Sequence, residues 1–189
     1  MKAVEPIRDL KKINTMKRYL KGKSIRDYVL FVVGINVALR ISDLLELTWN
    51  DILDENRDFK ILILKEGKTK KMRNIKLNQS SRKALEELLE SLDTYDMKDY
   101  IFKSREGDNE PISRQQALNI LKDTAEAVGV KDNIGTHSLR KTWGYHAWKK
   151  GYNPALIMET LNHSNLSVTK RYLGIRQDEI NDLYENLNI

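Results

Sequence analysis

Cysteine is absent from this sequence of 189 residues, and long apolar runs are absent as well. Without a thiol, the chain cannot form disulfides, use a thiolate nucleophile or hold zinc through cysteine. The longest apolar run, residues 28–39, contains twelve residues. It is too short to cross a bilayer, and it predicts a buried helix. The first residues are rich in charge and contain no apolar signal core. We therefore expect a cytoplasmic protein with no membrane partner.

Positive charge is concentrated in two stretches of the chain. The formal net charge is +6, and residues 1–30 hold nine Lys or Arg against three Asp or Glu. Residues 65–83 hold eight against one, whereas residues 84–111 are acidic. Clustered positive charge attracts polyanions and favours a nucleic acid as the partner. A solvated lysine-rich face is the alternative interpretation.

The spacing of apolar residues predicts a mainly α-helical chain with one small antiparallel β-sheet, an α+β fold. One domain over residues 1–189 is expected from this length. Such a chain is large enough to bury about two-thirds of the surface that it exposes when unfolded. Residues 59–77 alternate with the period of a strand and predict a hairpin with the polar tip EGKTKK. Helical patterns and caps occur elsewhere, with predicted N-caps at Ser24, Ser42, Ser113, Thr136 and Asn153.

Arg40 lies in the segment ALRISDLLELTW, where the buried helix gives way to the next one. A guanidinium held there by packing loses little freedom on binding an anion and can contact two oxygens of one phosphate. Asp43 could steady Arg40 or a nearby histidine. Alternatively, Arg40 caps the C-terminal end of a helix, and Asp43 is a first-turn acid that interacts favourably with the positive end of a helix dipole.

Lys68 lies at the predicted hairpin tip, in EGKTKKMRNIKL. A lysine beside a bound phosphate can donate a proton to a departing alkoxide. A solvated turn lysine is the alternative, because Lys65, Lys70 and Lys71 are close by in the sequence.

His137 and Arg140 come from THSLRKTW. Residues three apart on a helix face the same side, and the N–H groups at a helix start favour a phosphate there. His146 is nine residues beyond His137 and points to the other side of the same helix. We therefore exclude His146 from the predicted site.

His163 and Tyr172 lie in TLNHSNLSVTKRYLG. In one uninterrupted helix they would face apart, but Ser164-Asn165 is suited to break the helix and cap a new one. That break would bring both side chains toward one pocket. A phenol must lose its proton during nucleophilic attack, and a neighbouring histidine can accept it or orient a phosphate. Taken alone, a tyrosine in this position is more often a half-buried packing residue.

Four blocks of the chain resemble, in order and spacing, those of the tyrosine recombinases of the phage integrase family. The blocks are ALRISDLLELTWNDI, EGKTKKMRNIKL, THSLRKTW and LNHSNLSVTKRYLG, and the resemblance spans about residues 7–180. It implies that Arg40 and Arg140 bind the phosphate and that Tyr172 is the nucleophile. It assigns the remaining positions as the hairpin lysine, two histidines and an accessory acid: Lys68, His137, His163 and Asp43. The resemblance implies that typical relatives carry a helical core-binding domain before this region, and this chain is expected to lack it.

The resemblance implies a site-specific recombinase or integrase of a mobile element that cleaves and rejoins double-stranded DNA through a 3′-phosphotyrosyl intermediate. It implies no cofactor or metal, a free monomer, a homotetramer on paired DNA sites, and accessory DNA-binding proteins as further partners. Two alternatives stay open: a DNA-binding accessory or regulatory protein with little recombination activity, and a type IB topoisomerase. Residues 174–189 carry the apolar stripe Ile180, Leu183, Tyr184 and Leu187. This tail is expected to dock on a neighbouring protomer or on its own domain.

Overall fold

The computed structural model describes residues 4–188, apart from the side chain of Arg176. The predicted domain, 1–189, also includes residues 1–3 and 189, which lie outside the described residues. The elements in chain order are α1 (Leu10–Lys23), α2 (Ile25–Val37), α3 (Ile41–Leu45), α4 (Trp49–Ile52), β1 (Leu62–Lys65), β2 (Met72–Ile75), α5 (Gln79–Glu90), α6 (Arg114–Ala127), α7 (Thr136–Lys149), α8 (Pro154–Thr160), α9 (Leu166–Leu173) and α10 (Ile175–Asn186). The prediction of a mainly α fold with a small antiparallel sheet is confirmed. None of the helices in 4–188 has the length and apolar character needed to span a membrane.

Helix α2 forms the centre of the main core. Nine of its 13 residues are buried, and α1, α5 and α7 pack around it. Each large apolar side chain buried here contributes about 1.5–3 kcal/mol relative to exposure. Burial on almost every side explains why this segment is apolar all round, with no polar stripe.

Several helix starts follow the predicted caps. Ser24 accepts a hydrogen bond from the Asp27 amide at 3.4 Å. Ser113 and Gln116 form a reciprocal capping box, with distances of 2.7 and 3.1 Å. Asn153 accepts from the Ala155 amide at 2.9 Å, directly before a proline in the first turn.

Two predicted caps are wrong. Ser42 lies inside α3, whose N-cap is Arg40 and whose last residue is Leu45. Ala38 takes the left-handed conformation (φ 54°) that ends α2, so the chain turns and restarts as helix before Ser42 is reached. At α7 the N-cap is Gly135 instead of Thr136.

The hairpin is shorter than the alternating pattern predicts. Leu62 pairs with Ile75 and Lys65 with Met72. Phe59 lies outside it because it bridges to Leu53 instead. At the tip, the Glu66 amide donates to the Lys71 carbonyl at 2.9 Å, which closes the turn that carries residues 67–70.

A second, smaller core cluster holds the last helices against α7. Its buried members are Tyr145, Ile157, Leu161, Leu173 and Ile175. Gly144 permits the close approach of α9, because a Cβ at this position would lie 2.6 Å from Leu173 Cδ2. The segment that contains Tyr172 is therefore packed directly on the helix that contains Arg140.

Candidate active site

Arg40 and Arg140 lie side by side. Arg140 is 3% exposed, and its Nη1 donates to the Ala38 carbonyl at 2.6 Å, two residues before Arg40. Arg40 Nη1 lies 2.7 Å and Arg140 Nη1 lies 3.8 Å from the carboxylate of Glu66. The turn between α2 and α3 is thus fixed to α7. The alternative interpretation, in which Arg40 caps the end of a helix, does not apply, because its side chain donates to Glu66.

Glu66 is a residue of this site that the sequence analysis missed. It has no exposed surface and is the only acid among the eight basic residues of 65–83. Its burial acts to raise its pKa, but hydrogen bonds from Thr69 and Arg40 and the charges of Arg40 and Arg140 outweigh this and lower the pKa. The alternation along β1 was an available signal, because residues 62, 64 and 66 share the inward face.

The hairpin tip is attached to α3 by Asp43. The Gly67 amide donates to Asp43 Oδ1 at 3.1 Å, so Asp43 positions the turn next to Lys68 instead of steadying Arg40 or a histidine as proposed above. The Lys68 side chain is exposed, and its charge acts on His137. The tip therefore presents an ammonium opposite the start of α7.

His137 is the second residue of α7, and it is exposed at one side and covered by the site at the other. Loss of surrounding water lowers the pKa of its ring, and four neighbouring cations lower the pKa further: Arg140, Lys141, Arg40 and Lys68. The lowered pKa favours the neutral ring, which is the form that can accept a proton.

His163 and Tyr172 meet as the predicted helix break requires. Asn165 caps α9 by accepting from the Val168 amide at 2.9 Å. The two rings lie edge to face, with centroids 4.8 Å apart and an interplanar angle of 77°. His163 Nδ1 is 3.0 Å from Thr169 Oγ1, which fixes the ring orientation. Burial, Arg140 and Arg40 lower the pKa of His163.

The Tyr172 phenol is half-buried against the second core cluster and also faces the arginines. Burial raises its pKa, whereas the charges of Arg140 and Arg40 act in the opposite direction. Lys141, which the sequence analysis did not single out, holds its Nζ 4.9 Å from the centre of the Tyr172 ring. The same Nζ donates to the Val4 carbonyl at 2.8 Å.

His146 lies elsewhere, as expected, with its Nε2 3.0 Å from the Ile7 carbonyl. The structure thus brings together guanidinium, imidazole and phenol groups, with an ammonium at the rim. Across residues 4–188, no group of three or more His, Asp or Glu side chains is arranged to hold a metal ion. Fixed cations around one open space can bind an anion and stabilise charge that develops on it.

The fold is that of the catalytic domains of tyrosine recombinases. It matches the crystal structure of XerA recombinase with a TM-score of 0.75 and 19% identity, over 100% of this chain and 68% of that chain. It also matches XerH site-specific recombinase, bound to palindromic difH substrate in a post-cleavage complex, with a TM-score of 0.72 and 17% identity. That match covers 97% of this chain and 54% of that chain.

The sequence comparison identifies the family. Residues 7–179 match the phage integrase family. The chain is 45% identical over 187 residues to the probable integrase/recombinase YoeC of Bacillus subtilis. The alignment covers 98% of this chain and 97% of YoeC. The chain is 31% identical over 191 residues to the type 1 fimbriae regulatory protein FimE of Escherichia coli, covering 92% and 93%. The chain belongs to the phage integrase family, and the predicted resemblance is confirmed.

Proposed function

We propose that this protein is a site-specific DNA recombinase or integrase that cleaves and rejoins strands through a 3′-phosphotyrosyl intermediate. The observation that carries the proposal is that His163 packs on the ring of Tyr172 while the charges of Arg40 and Arg140 act on both residues. Membership of the phage integrase family supports it. So does the likeness in fold to XerH, which was captured on its difH substrate after cleavage.

In this mechanism the scissile phosphate lies against the two guanidiniums. The Tyr172 oxygen attacks phosphorus, and the bond from phosphorus to the 5′ oxygen breaks. Arg40, Arg140 and His163 stabilise the charge that builds on the non-bridging oxygens. Rejoining is the reverse reaction, in which the 5′ hydroxyl attacks the phosphotyrosine, so the bond energy is conserved and ATP is not required.

Two protons move in the cleavage step. The phenol proton passes to His137, whose lowered pKa leaves its ring neutral and able to accept it. Lys68 supplies the proton to the departing 5′ oxygen from the exposed hairpin tip. Because burial raises the pKa of Tyr172, the phenol stays protonated until a phosphate is in place, and its ionisation is coupled to attack. Asp43 has an accessory role, holding the Gly67 amide beside Lys68.

A nicked suicide duplex tests the proposal, because loss of the short strand after cleavage prevents rejoining and traps the covalent adduct. We expect the unaltered protein to form the adduct and Tyr172→Phe to bind the same duplex without forming it. An adduct formed by Tyr172→Phe would contradict the assignment of the nucleophile. Tight binding with no adduct on any sequence of a duplex library would instead indicate a DNA-binding accessory protein.

We further propose that residues 1–189 act as one catalytic domain and that the tail, residues 174–189, links protomers into a tetramer on paired DNA sites. Three of the four residues of the stripe are exposed: Leu183, Tyr184 and Leu187, at 60%, 81% and 63%. The sequence of the same helix contains four acidic residues and one basic residue.

A groove of about 580 Å³, lined by residues of α1, α7 and α8, fits such a helix in charge and polarity. Its lining includes apolar Leu10 and Leu156 with the cations Lys17 and Lys150, and no acidic residue among those described. Truncation after Gly174 should leave single-site DNA binding intact and weaken synapsis of two sites in a gel-shift assay. Unchanged synapsis by the truncated protein would show that the tail docks on its own domain.

A further inference from the structure

Glu66 lies at the point where the separate parts of the site meet. It has no exposed surface, yet its Oε2 accepts three hydrogen bonds. The donors are Arg40 Nη1 at 2.7 Å, Asn162 Nδ2 at 2.7 Å and the Thr69 hydroxyl. Asn162 directly precedes His163 in the turn between α8 and α9. One oxygen atom therefore connects the start of α3, the hairpin tip and the histidine turn.

The second oxygen of the same carboxylate faces two more guanidiniums. Oε1 lies 3.3 Å from Arg73 Nη1 and 3.8 Å from Arg140 Nη1. Arg73, on β2, also donates to the Thr160 carbonyl at the end of α8. A buried charge is tolerated only where it is paired and hydrogen-bonded, and Glu66 meets both conditions. The carboxylate thus connects β2 and α7 to the same centre.

We propose that Glu66 is a positioning residue for strand cleavage: it fixes Arg40 and the turn that carries His163 in the arrangement that receives the scissile phosphate. This inference rests on the function proposed above. Glu66 does not touch DNA in this arrangement. It acts through the arginine and the turn that it binds.

The burial of Glu66 distinguishes this role from competition with the phosphate. The Arg40 side chain is 18% exposed, whereas that of Glu66 is 0% exposed. A phosphate arrives from solvent and meets the outer edge of the guanidinium, while the carboxylate holds the inner edge. A guanidinium has five N–H donors, and the Arg40 contact to Glu66 uses one of its nitrogens. Donors therefore remain for a phosphate.

Charge balance leads to the same role. Three guanidiniums around one space repel each other, and one buried carboxylate reduces their sum from three positive charges to two. The cluster keeps a net attraction for a phosphodiester, whose negative charge grows in the transition state. Without the carboxylate, the arginines would separate toward solvent and lose the geometry that catalysis needs.

Glu66→Gln removes the charge at nearly constant volume. We expect DNA affinity to be retained and the single-turnover rate of adduct formation to fall by about 10²–10³-fold, the scale for loss of one charge-stabilising donor. Glu90→Gln is the matched control, because Glu90 is an exposed glutamate at the end of α5. It makes the same change in net charge and should cleave at the unaltered rate.

The double variant separates positioning from a general structural role. If Glu66 acts partly through Arg40, then Glu66→Gln should slow cleavage by a smaller factor in the Arg40→Ala background than in the unaltered protein, because residues that act as a unit are non-additive. Equal slowing in both backgrounds would overturn the proposal. Thr69→Val, which removes one donor to the carboxylate, should lower the rate about tenfold. It keeps the test valid if Glu66→Gln does not fold.

The mobility of the Arg40 side chain in the DNA-free protein can be measured whether or not the protein cleaves DNA. By NMR, the Arg40 Nε–H group should be rigid in the unaltered protein and mobile in Glu66→Gln and Thr69→Val. If Arg40 is mobile in these variants and the unaltered protein forms no adduct, then Glu66 orders the Arg40 side chain but the proposed function is rejected. Adduct formation by the unaltered protein, with an equal rate or an equally rigid Arg40 in the variants, would reject the positioning role alone.

Discussion

The contact between α7 and α9 gives a prediction that links packing to catalysis. A Cβ at Gly144 would lie 2.6 Å from Leu173 Cδ2 and 3.2 Å from Leu161 Cδ1. Carbon atoms in contact prefer about 3.5–4.0 Å, so Gly144→Ala requires a displacement of about 1 Å. Leu173 has no exposed surface and cannot rotate into solvent. The substitution should therefore move α9, and Tyr172 with it.

The expected effects on stability and on rate differ in size. Alanine is favoured over glycine inside a helix by about 1 kcal/mol, and overpacking a core costs about 1–3 kcal/mol. The net loss in free energy of unfolding is therefore between about 0 and 2 kcal/mol. Displacement of a reacting group by about 1 Å can reduce a rate by about 10²-fold. Cleavage should therefore suffer far more than folding.

Urea unfolding measures the first effect, and single-turnover adduct formation on the nicked duplex measures the second. Gly22→Ala is the matched control, because a Cβ at Gly22 in α1 meets no atom within 4 Å. It should stabilise the protein by about 0.5–1 kcal/mol and leave the rate unchanged. Adduct formation by Gly144→Ala at the unaltered rate would refute the claim that this contact positions Tyr172.

Two further predictions concern protons. The pKa values of His137 and His163 are lowered in the folded protein, so the unfolded chain binds more protons as pH falls through about 6.5. The free energy of unfolding should therefore decrease between about pH 7 and pH 5.5, and less so in His137→Gln/His163→Gln. An identical pH dependence in both proteins, measured by urea unfolding, would refute this. Lys68→Ala should slow cleavage by about 10²–10⁴-fold on normal DNA. It should slow cleavage much less on DNA with sulfur in place of the departing 5′ oxygen, because a thiolate leaves without a proton. Equal slowing on both substrates would exclude Lys68 as the proton donor.

Local patterns in the sequence were enough to predict the elements that carry the site. The apolar run of α2 predicted a buried helix, and Asn165 predicted the break that turns His163 and Tyr172 toward each other. Such signals act over a few residues, because caps and hydrophobic periods depend on neighbouring side chains. The failures were also local: Ser42 resembles a cap, but the turn at Ala38 starts α3 earlier.

The chain order of the four family blocks, their residue types and the family could be determined from the sequence by itself. Only the tertiary structure decided that Asp43 holds the hairpin tip, that Lys141 covers the Tyr172 ring, and that Glu66 binds three arginines. The Glu66 bonds to Arg40 and Asn162 cross 26 and 96 positions of the chain. An alternating strand pattern shows that residue 66 faces inward, but not which distant groups it meets. Those partners are set by the packing of α3, α7 and the α8–α9 turn around one buried charge.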